Sequence, residues 1–436
     1  MTEPLAPTTL ERAVSRWQIV ALALNDVVGS GVYLLPAAAV ALLGPASVWA
    51  VALAGVAVFV IVLCFAEAAT YFEEPGSAYL YARTAFGDLV GFQVGWMTWL
   101  TRVTSIASLS AGFAQAVAYL WPGADEGAGR AVIVTVPLLG LAALNYVGVR
   151  SGARTAVVLA IGKLVPLFVF VAAGLFAARW ALIGEQTATS TSPGRLGEAV
   201  LLLLYAYAGF ENTAAAAGEY KNPRRDVPFA LLVHIGVVTA LYVAVQAVAL
   251  ATLPDAGASA TPLADAARLF LGPLGGLLLT VGAVVSILGT NGNTVFAGPR
   301  YLFALGRDGY GPRALAAVHP RFRTPAVALV ATVAIAWPLA LTGTFVGLAA
   351  LSVVTRLATY IGTAAAVPVL RRKLAARPGA FRLPGGPAIP ILAVALALVF
   401  AASATRENLL AAAVAVVVGM GVFLLRGRPQ PRRHRS

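Results

Sequence analysis

WQIVALALNDVVGSGVYLLPAAAV, residues 17–40, is apolar over the length of a membrane crossing, yet it carries Gly29, Ser30 and Gly31 at its centre and Pro36 just beyond. Two glycines flanking a serine weaken a helix there. A second stretch, GEAVLLLLYAYAGFENTAAAAGEY at 197–220, repeats the pattern, with Gly209, Phe210 and an acidic Glu211 near mid-depth. A lone Gly-x-Gly in a membrane helix reads as a close-packing face. Two interruptions, in the first and sixth apolar runs, imply something else. They lie five helices apart, and an odd offset inverts the second unit relative to the first, as in inverted repeats of five helices. At such breaks freed amide N–H groups hold a carboxylate, and freed carbonyls hold an ammonium group or a cation.

The rest of the chain supports a membrane reading. Of its 436 residues 59% are hydrophobic and 11% charged, where a soluble domain carries roughly 25% charged residues. Apolar runs long enough to cross a hydrocarbon core of roughly 30 Å recur almost to the C-terminal end. Their continuity, without alternation, selects helices over a β-barrel. About twelve spans are predicted, at 17–41, 44–72, 88–120, 130–147, 155–178, 196–219, 227–252, 273–300, 326–342, 344–370, 388–404 and 408–425. The first is too long, and lacks the cleavage site, for a removable leader.

Charge orients these spans. Basic residues collect in alternate segments: Arg12 and Arg16, Arg83, Arg150 and Arg154, Lys221 with Arg224 and Arg225, the run from Arg300 to Arg323, and Arg371 to Arg382 with the tail RGRPQPRRHRS. The other segments hold only Arg130, Arg179, Arg195, Arg268 and Arg406, beside acidic stretches. The positive-inside rule then puts both termini in the cytoplasm, with the lipid bilayer as the chain's surroundings. The net charge of +13 is thus topological and predicts no nucleic-acid partner. The lone Cys64 excludes an intramolecular disulfide framework. No Cys/His cluster has metal-ligand spacing, so neither a metal nor a cofactor is expected.

Three segments carry a family resemblance. GSGVYLLPA at 29–37 resembles the first-helix signature of the amino acid-polyamine-organocation (APC) superfamily, and FEEPGSAYLYARTAFG at 72–87 its second-to-third helix connection. YAYAGFENTAAAAGEYKNPRRDVP at 205–228 resembles the sixth helix and following loop, and is the most specific of the three. With the spacing of spans, the resemblance covers about residues 15–370. It implies an all-α polytopic membrane protein of the leucine-transporter type, a 5+5 inverted repeat plus two extra helices, with discontinuous helices 1 and 6. The expected organisation is an N-terminal tail at 1–16, repeats at 17–178 and 196–370, two added helices at 388–425, and a basic tail at 426–436. The resemblance further implies a permease for amino acids or related amines, working by proton symport or by exchange.

Site residues carry over where the motifs align. The backbone at Val28, Gly29, Ser30 and Gly31 resembles the superfamily's carboxylate and amine cradle, and Ala208, Gly209 and Phe210 its counterpart in the sixth helix. Tyr205 stands where an arginine/agmatine-exchanging member has an aromatic gate, and Glu211 matches that member's proton-sensing glutamate.

Five ionisable residues sit at bilayer depth, where each costs about 2.5–3.5 kcal/mol on insertion scales and so asks for a function or a partner. Lys163 lies nine residues past Arg154, about 13 Å into the fifth span. The resemblance of VRSGARTAVVLAIGKLVP to the fifth helix of proton-coupled members places its ammonium where sodium-coupled relatives bind a structural sodium. Its expected partners are carbonyls near the first break and Ser286 or Thr290 of the eighth span. It is either a proton carrier or a fixed cation. Glu211, read as a buried carboxylate without a partner, is the second proton-coupling candidate. Asp26, one turn before Gly29, either contacts substrate or pairs with Arg102 or Arg356. Those two arginines keep their charge at any relevant pH; they neutralise Asp26 and Glu211, or one holds a substrate carboxylate. Ser286, Thr290, Asn291 and Asn293 either line the cavity or make ordinary helix–helix hydrogen bonds. Asp226 before Pro228 reads as a helix N-cap.

The expected activity is therefore secondary transport of a small amino acid or related amine, with protons as coupling partner. A membrane enzyme would need a nucleophile, metal cluster or haem-ligand pair within the spans, and a channel a continuous polar lining. The pattern of residues offers neither. Oligomeric state is not encoded in it.

Overall fold

Lipid obliges each backbone N–H and C=O to find a partner inside its own span, and the chain answers with helices. The computed structural model describes residues 14–72, 77–148, 153–185, 192–215, 220–374 and 381–425. Expectations resting on 1–13, 73–76, Arg150, 216–219, Arg377 and the tail 426–436 lie outside those residues, as does the side chain of Arg154.

The first predicted span is two helices, α1 (Arg16–Val27) and α2 (Ser30–Leu43). They are followed by α3 (Ser47–Thr70), α4 (Ser77–Phe86), α5 (Asp88–Val117), α6 (Gly127–Val147), α7 (Ala153–Ala177) and the short α8 (Leu182–Glu185). The sixth span is again split, into α9 (Pro193–Leu203) and α10 (Glu211–Ala215). Then come α11 (Pro223–Thr252), α12 (Pro262–Arg307), α13 (Ala326–Thr342), α14 (Phe345–Lys373), α15 (Ala388–Ala402) and α16 (Arg406–Leu424). No strand occurs among the described residues; Val14 and Tyr220 share an isolated bridge.

Within α12, Gly272 with φ of 69° interrupts the helix, so a separate helical run begins at Pro273, where the eighth span was predicted to start. One boundary departs from the sequence reading. Asp226 is not the cap of α11. Asn222 holds that position with Pro223 following, and Asp226 sits in the first turn, 3.4 Å from the guanidinium of Arg16. A carboxylate in the first turn suits the positive end of the helix and here also ties α11 to α1.

Lipid-facing and protein-facing helices separate by residue type. In α6 only Val134 and Leu138 are buried, and in α16 only Gly419. Phe176 of α7, Leu274 of α12 and Val417 of α16 also lie outward. By contrast α5 is buried along most of its length and carries a seam of Thr98, Thr101, Arg102, Ser105 and Ser108. Those residues recur every three or four positions, so they share one face. That face packs on α14: Thr98 Oγ1 meets Thr359 Oγ1 at 2.9 Å, and Ser105 Oγ meets Ser352 Oγ at 2.8 Å. Such paired hydroxyls bind helices where hydrophobicity supplies no preference over lipid. α5 also packs along α12, α3 along α11, and α12 along α7.

A clamp closes one end of the bundle. Arg371 at the end of α14 holds the buried Glu67 of α3 through two bonds of 2.6 and 2.7 Å, and Leu383 N donates to the same carboxylate at 2.8 Å.

The two split spans touch. A Cβ added to Gly31 would lie 2.5 Å from the Ala206 Cα, so α2 and the segment after α9 pack backbone against backbone. Gly31→Val should therefore lower the stability of the purified protein by about 1–3 kcal/mol through overpacking. Thermal unfolding in detergent checks this; a wild-type midpoint would show that this approach is not tight.

Candidate functional site

At the first break Val28 adopts an extended conformation (φ −72°, ψ 99°) and Gly29 a non-helical one (φ −130°, ψ −148°). At the second, the chain leaves the α-helix after Leu203 and turns through 204–210 before α10 starts at Glu211. Gly209 has φ of +124°, and a Cβ there would stand 2.6 Å from Asp26 O. Only glycine accommodates both the angle and that approach. The breaks consequently face each other across a cavity of about 40 Å³. By the measure on which one water needs roughly 10–15 Å³, it has room for a few waters.

Asp26, Gly29, Ser30, Gly31, Tyr205, Ala208 and Gly209 line this cavity, as do Arg102, Arg356 and Thr290. Val28 and Phe210 do not. The Val28 side chain is buried in the core, while its carbonyl accepts from Ser286 Oγ at 3.0 Å. Phe210 stacks on Tyr360 at 5.5 Å and meets Phe65 edge-on at 5.2 Å. The resemblance located the broken segment correctly, but a backbone turning through seven residues directs Phe210 into an aromatic cluster behind it.

Lys163 lies behind the first break, fully buried. Its Nζ donates to Asn25 O at 2.6 Å and to Thr290 Oγ1 at 3.1 Å, joining α7 to the end of α1 and to α12. Of the two hydroxyls predicted for it, Thr290 is the one it reaches; Ser286 binds the neighbouring carbonyl of Val28 instead.

Glu211 is not the unpartnered carboxylate the sequence suggested. Arg356 Nη1 bonds its Oε1 and Arg102 Nη2 stands 3.7 Å away. Gly209 N donates to Oε2 at 3.0 Å, so the carboxylate also caps the unwound segment. Arg102 donates in addition to Asn212 Oδ1 at 2.8 Å. Asp26, for which pairing with Arg102 or Arg356 was one reading, instead accepts from Asn293 Nδ2 at 3.0 Å. Both guanidiniums turn to Glu211, because α10 brings it between α5 and α14.

Sequence reasoning did not select Ser105, Leu109, Asn212 or Thr294, all of which line the cavity. A signal existed for the first two: Arg102, Ser105 and Leu109 fall three and four residues apart on the α5 seam. Asn212 adjoins Glu211, and nothing in its spacing sets it apart.

The cavity is reached from one side. Asp26, Ala208, Asn212 and Asn293 are partly exposed, whereas Ser30, Tyr205 and Arg356 are buried. Over the buried end Tyr205 meets Phe345 edge-on at 5.9 Å, and Gly112 lets Phe345 and Leu34 close together beside it. Access therefore lies on the face formed by α1 and α10.

Opposed helix breaks around a polar cavity at bilayer depth define a multi-pass membrane carrier. Residues 14–424 match the amino acid permease family, and the chain belongs to that family, within the APC superfamily. It is 30% identical to the serine/threonine exchanger SteT of Bacillus subtilis over 92% of each chain. The methylthioribose transporter of Bacillus subtilis is 28% identical, over 96% of this chain and 94% of its own. The branched-chain amino acid permease BcaP of the same organism is 26% identical over the same shares. The family and these relatives are transporters and not enzymes.

The Glu211 pair yields a testable energy. Arg356→Met should cost about 3–5 kcal/mol, because it strands a buried carboxylate. Adding Glu211→Gln should restore part of that loss. Unfolding of the single and double variants checks this; strictly additive losses would show the pair to be uncoupled.

Proposed function

We propose that this protein moves amino acids across the cytoplasmic membrane by alternating access, with both termini in the cytoplasm. One observation carries the proposal: the breaks in α1–α2 and α9–α10 face each other across a polar cavity. Ser30 and Gly31 begin α2, whose first N–H groups have no partner within the helix and present the positive end of its dipole. They suit the α-carboxylate common to all amino acids. The C-terminal end of α1 and the turns of 204–210 supply carbonyls for the α-amine. Backbone groups read the shared moiety, and the α5 and α14 side chains face whatever extends beyond it.

On this reading the conformation is inward-facing, since the open side carries α1 and α10 and the inside is the side of the basic loops. Tyr205 and Phe345 close the outer path. Outward opening requires α1 and α10 to move against α5, α12 and α14, and Lys163 is placed to govern that movement. Protonated, it fastens the end of α1 to α7 and α12; on losing its proton it holds Asn25 O less strongly, and α1 is released. Glu211, fastened by two arginines, serves as a structural anion. Coupling to protons thus runs through Lys163, and the five-helix repeats move as scaffold and bundle.

Amino-acid exchange is the second reading, favoured by the relative named a serine/threonine exchanger. In proteoliposomes, an acidic exterior should drive uptake of a radiolabelled amino acid above its equilibrium level. Lys163→Gln should reduce that driven uptake by about tenfold, equivalent to roughly 1.4 kcal/mol. Uptake by Lys163→Gln with the wild-type pH profile would reject the proton role. Uptake by the wild type only when amino acid is preloaded inside, with no response to the gradient, would establish exchange.

A further inference from the structure

The charges around the cavity do not balance. Arg102, Arg356 and Lys163 are three cations facing two anions, Asp26 and Glu211, and all five lie at bilayer depth. The imbalance has a location. Lys163 and Asp26 occupy the α1 side, where Lys163 binds Asn25 O and Asp26 is held by Asn293. Arg102 and Arg356 occupy the opposite wall and share the single carboxylate of Glu211.

Their hydrogen bonding is incomplete as well. A guanidinium carries five N–H donors in a fixed fork. Arg102 is 3% exposed, and its Nε is buried without an acceptor among the described residues; the Nε of Arg356 is likewise unaccepted. Other Arg102 donors reach Asn212, a neutral group, and Glu211 only at 3.7 Å. Ser105 stands beside them and receives Arg356 Nη2 at 3.3 Å. A cation desolvated at this depth and given half an anion is an expensive arrangement unless a guest completes it.

We infer that the Arg102 wall selects substrates bearing a second acidic group, so that the favoured cargo is an anionic, dicarboxylic amino acid. The inference rests on the reading of the helix breaks as the amino-acid cradle. With the α-carboxylate at the start of α2 and the α-amine at the carbonyls of the breaks, the side chain extends toward α5 and α14. A side-chain carboxylate there brings the anions to equal the cations and gives the guanidiniums the planar, two-oxygen acceptor their fork matches. A neutral amino acid leaves the excess charge in place. A cationic one enlarges it, which disfavours basic amino acids and polyamines at this site.

The test is a binding competition on the purified full-length chain in detergent, using L-glutamate and L-aspartate against their uncharged isosteres L-glutamine and L-asparagine, with L-arginine and L-serine alongside. The wild type should bind the better of the two acids at least about tenfold more tightly than its amide. Arg102→Gln should bring that ratio close to one, and Arg102→Lys, which retains the charge, should keep most of the preference. Wild-type binding of serine or glutamine as tight as that of the acids overturns the inference and leaves the amino-acid site intact. Failure of every amino acid to bind or to be taken up overturns the cradle itself, and the inference with it. If Arg102→Gln does not fold, the wild-type ranking and Arg102→Lys still decide: a wild type without the preference overturns the inference, and a Lys variant that loses it with the charge retained shows that charge balance at this wall is not its source.

Discussion

A bilayer interior offers no water to a freed peptide group, and each one left unsatisfied costs several kcal/mol. Two helices broken at mid-depth are therefore tolerable only if the rest of the protein attends to the ends. Much of the polar content of this chain does so. Ser286 and Lys163 bind the carbonyls of Val28 and Asn25. Tyr242 OH donates to Ala206 O at 3.1 Å, and Glu211 receives Gly209 N. Helices α7, α11 and α12 are positioned by these bonds as much as by packing.

The same constraint explains why the ionisable residues are layered. Lys163 and Glu211 do not line the cavity; they lie one layer back, each bonded to a broken segment. Asp26, Arg102 and Arg356 form the wall. On the proposed reading, a charge touching the backbone of a break governs whether that break moves, and a charge on the wall governs what enters. Coupling and selection are then separate, although all five residues look alike in sequence, as isolated charges in apolar runs.

How far the sequence reading reached follows from which forces are local. Span positions, both breaks and the need for glycine at 209 are written in hydropathy and in single residues, and the helices fall where those signals put them. The approach of Lys163 to the first break was legible through the resemblance of the fifth helix, down to Thr290 as a partner. Partner choice among Asp26, Glu211, Arg102 and Arg356 was not. Glu211 and Arg356 are 145 positions apart, and their meeting depends on where a short α10 of five residues falls after an irregular turn. The departure of Phe210 from the cavity has the same origin, since one residue more or less in that turn would exchange it with its neighbour. The Asp226 cap failed for a local reason: Pro223 starts α11 a turn earlier, and a proline at the first helical position is as strong a signal as Pro228.

The shape of the cavity also bears on the proposed transport. Its accessible side carries Asp26, Ala208, Asn212 and Asn293, and its far side Ser30, Tyr205 and Arg356. Tyr205 and Phe345 on the far side have little slack, because Phe345 packs against Gly112 and α2 already meets Ala206 backbone to backbone at Gly31. On the proposed mechanism a guest enters from the α1 face, and closing behind it means moving α1 and α10. Substrate binding and movement of the broken helices would then be coupled, and a guest that meets both the helix ends and the arginine wall would favour that movement more than one that meets the ends alone.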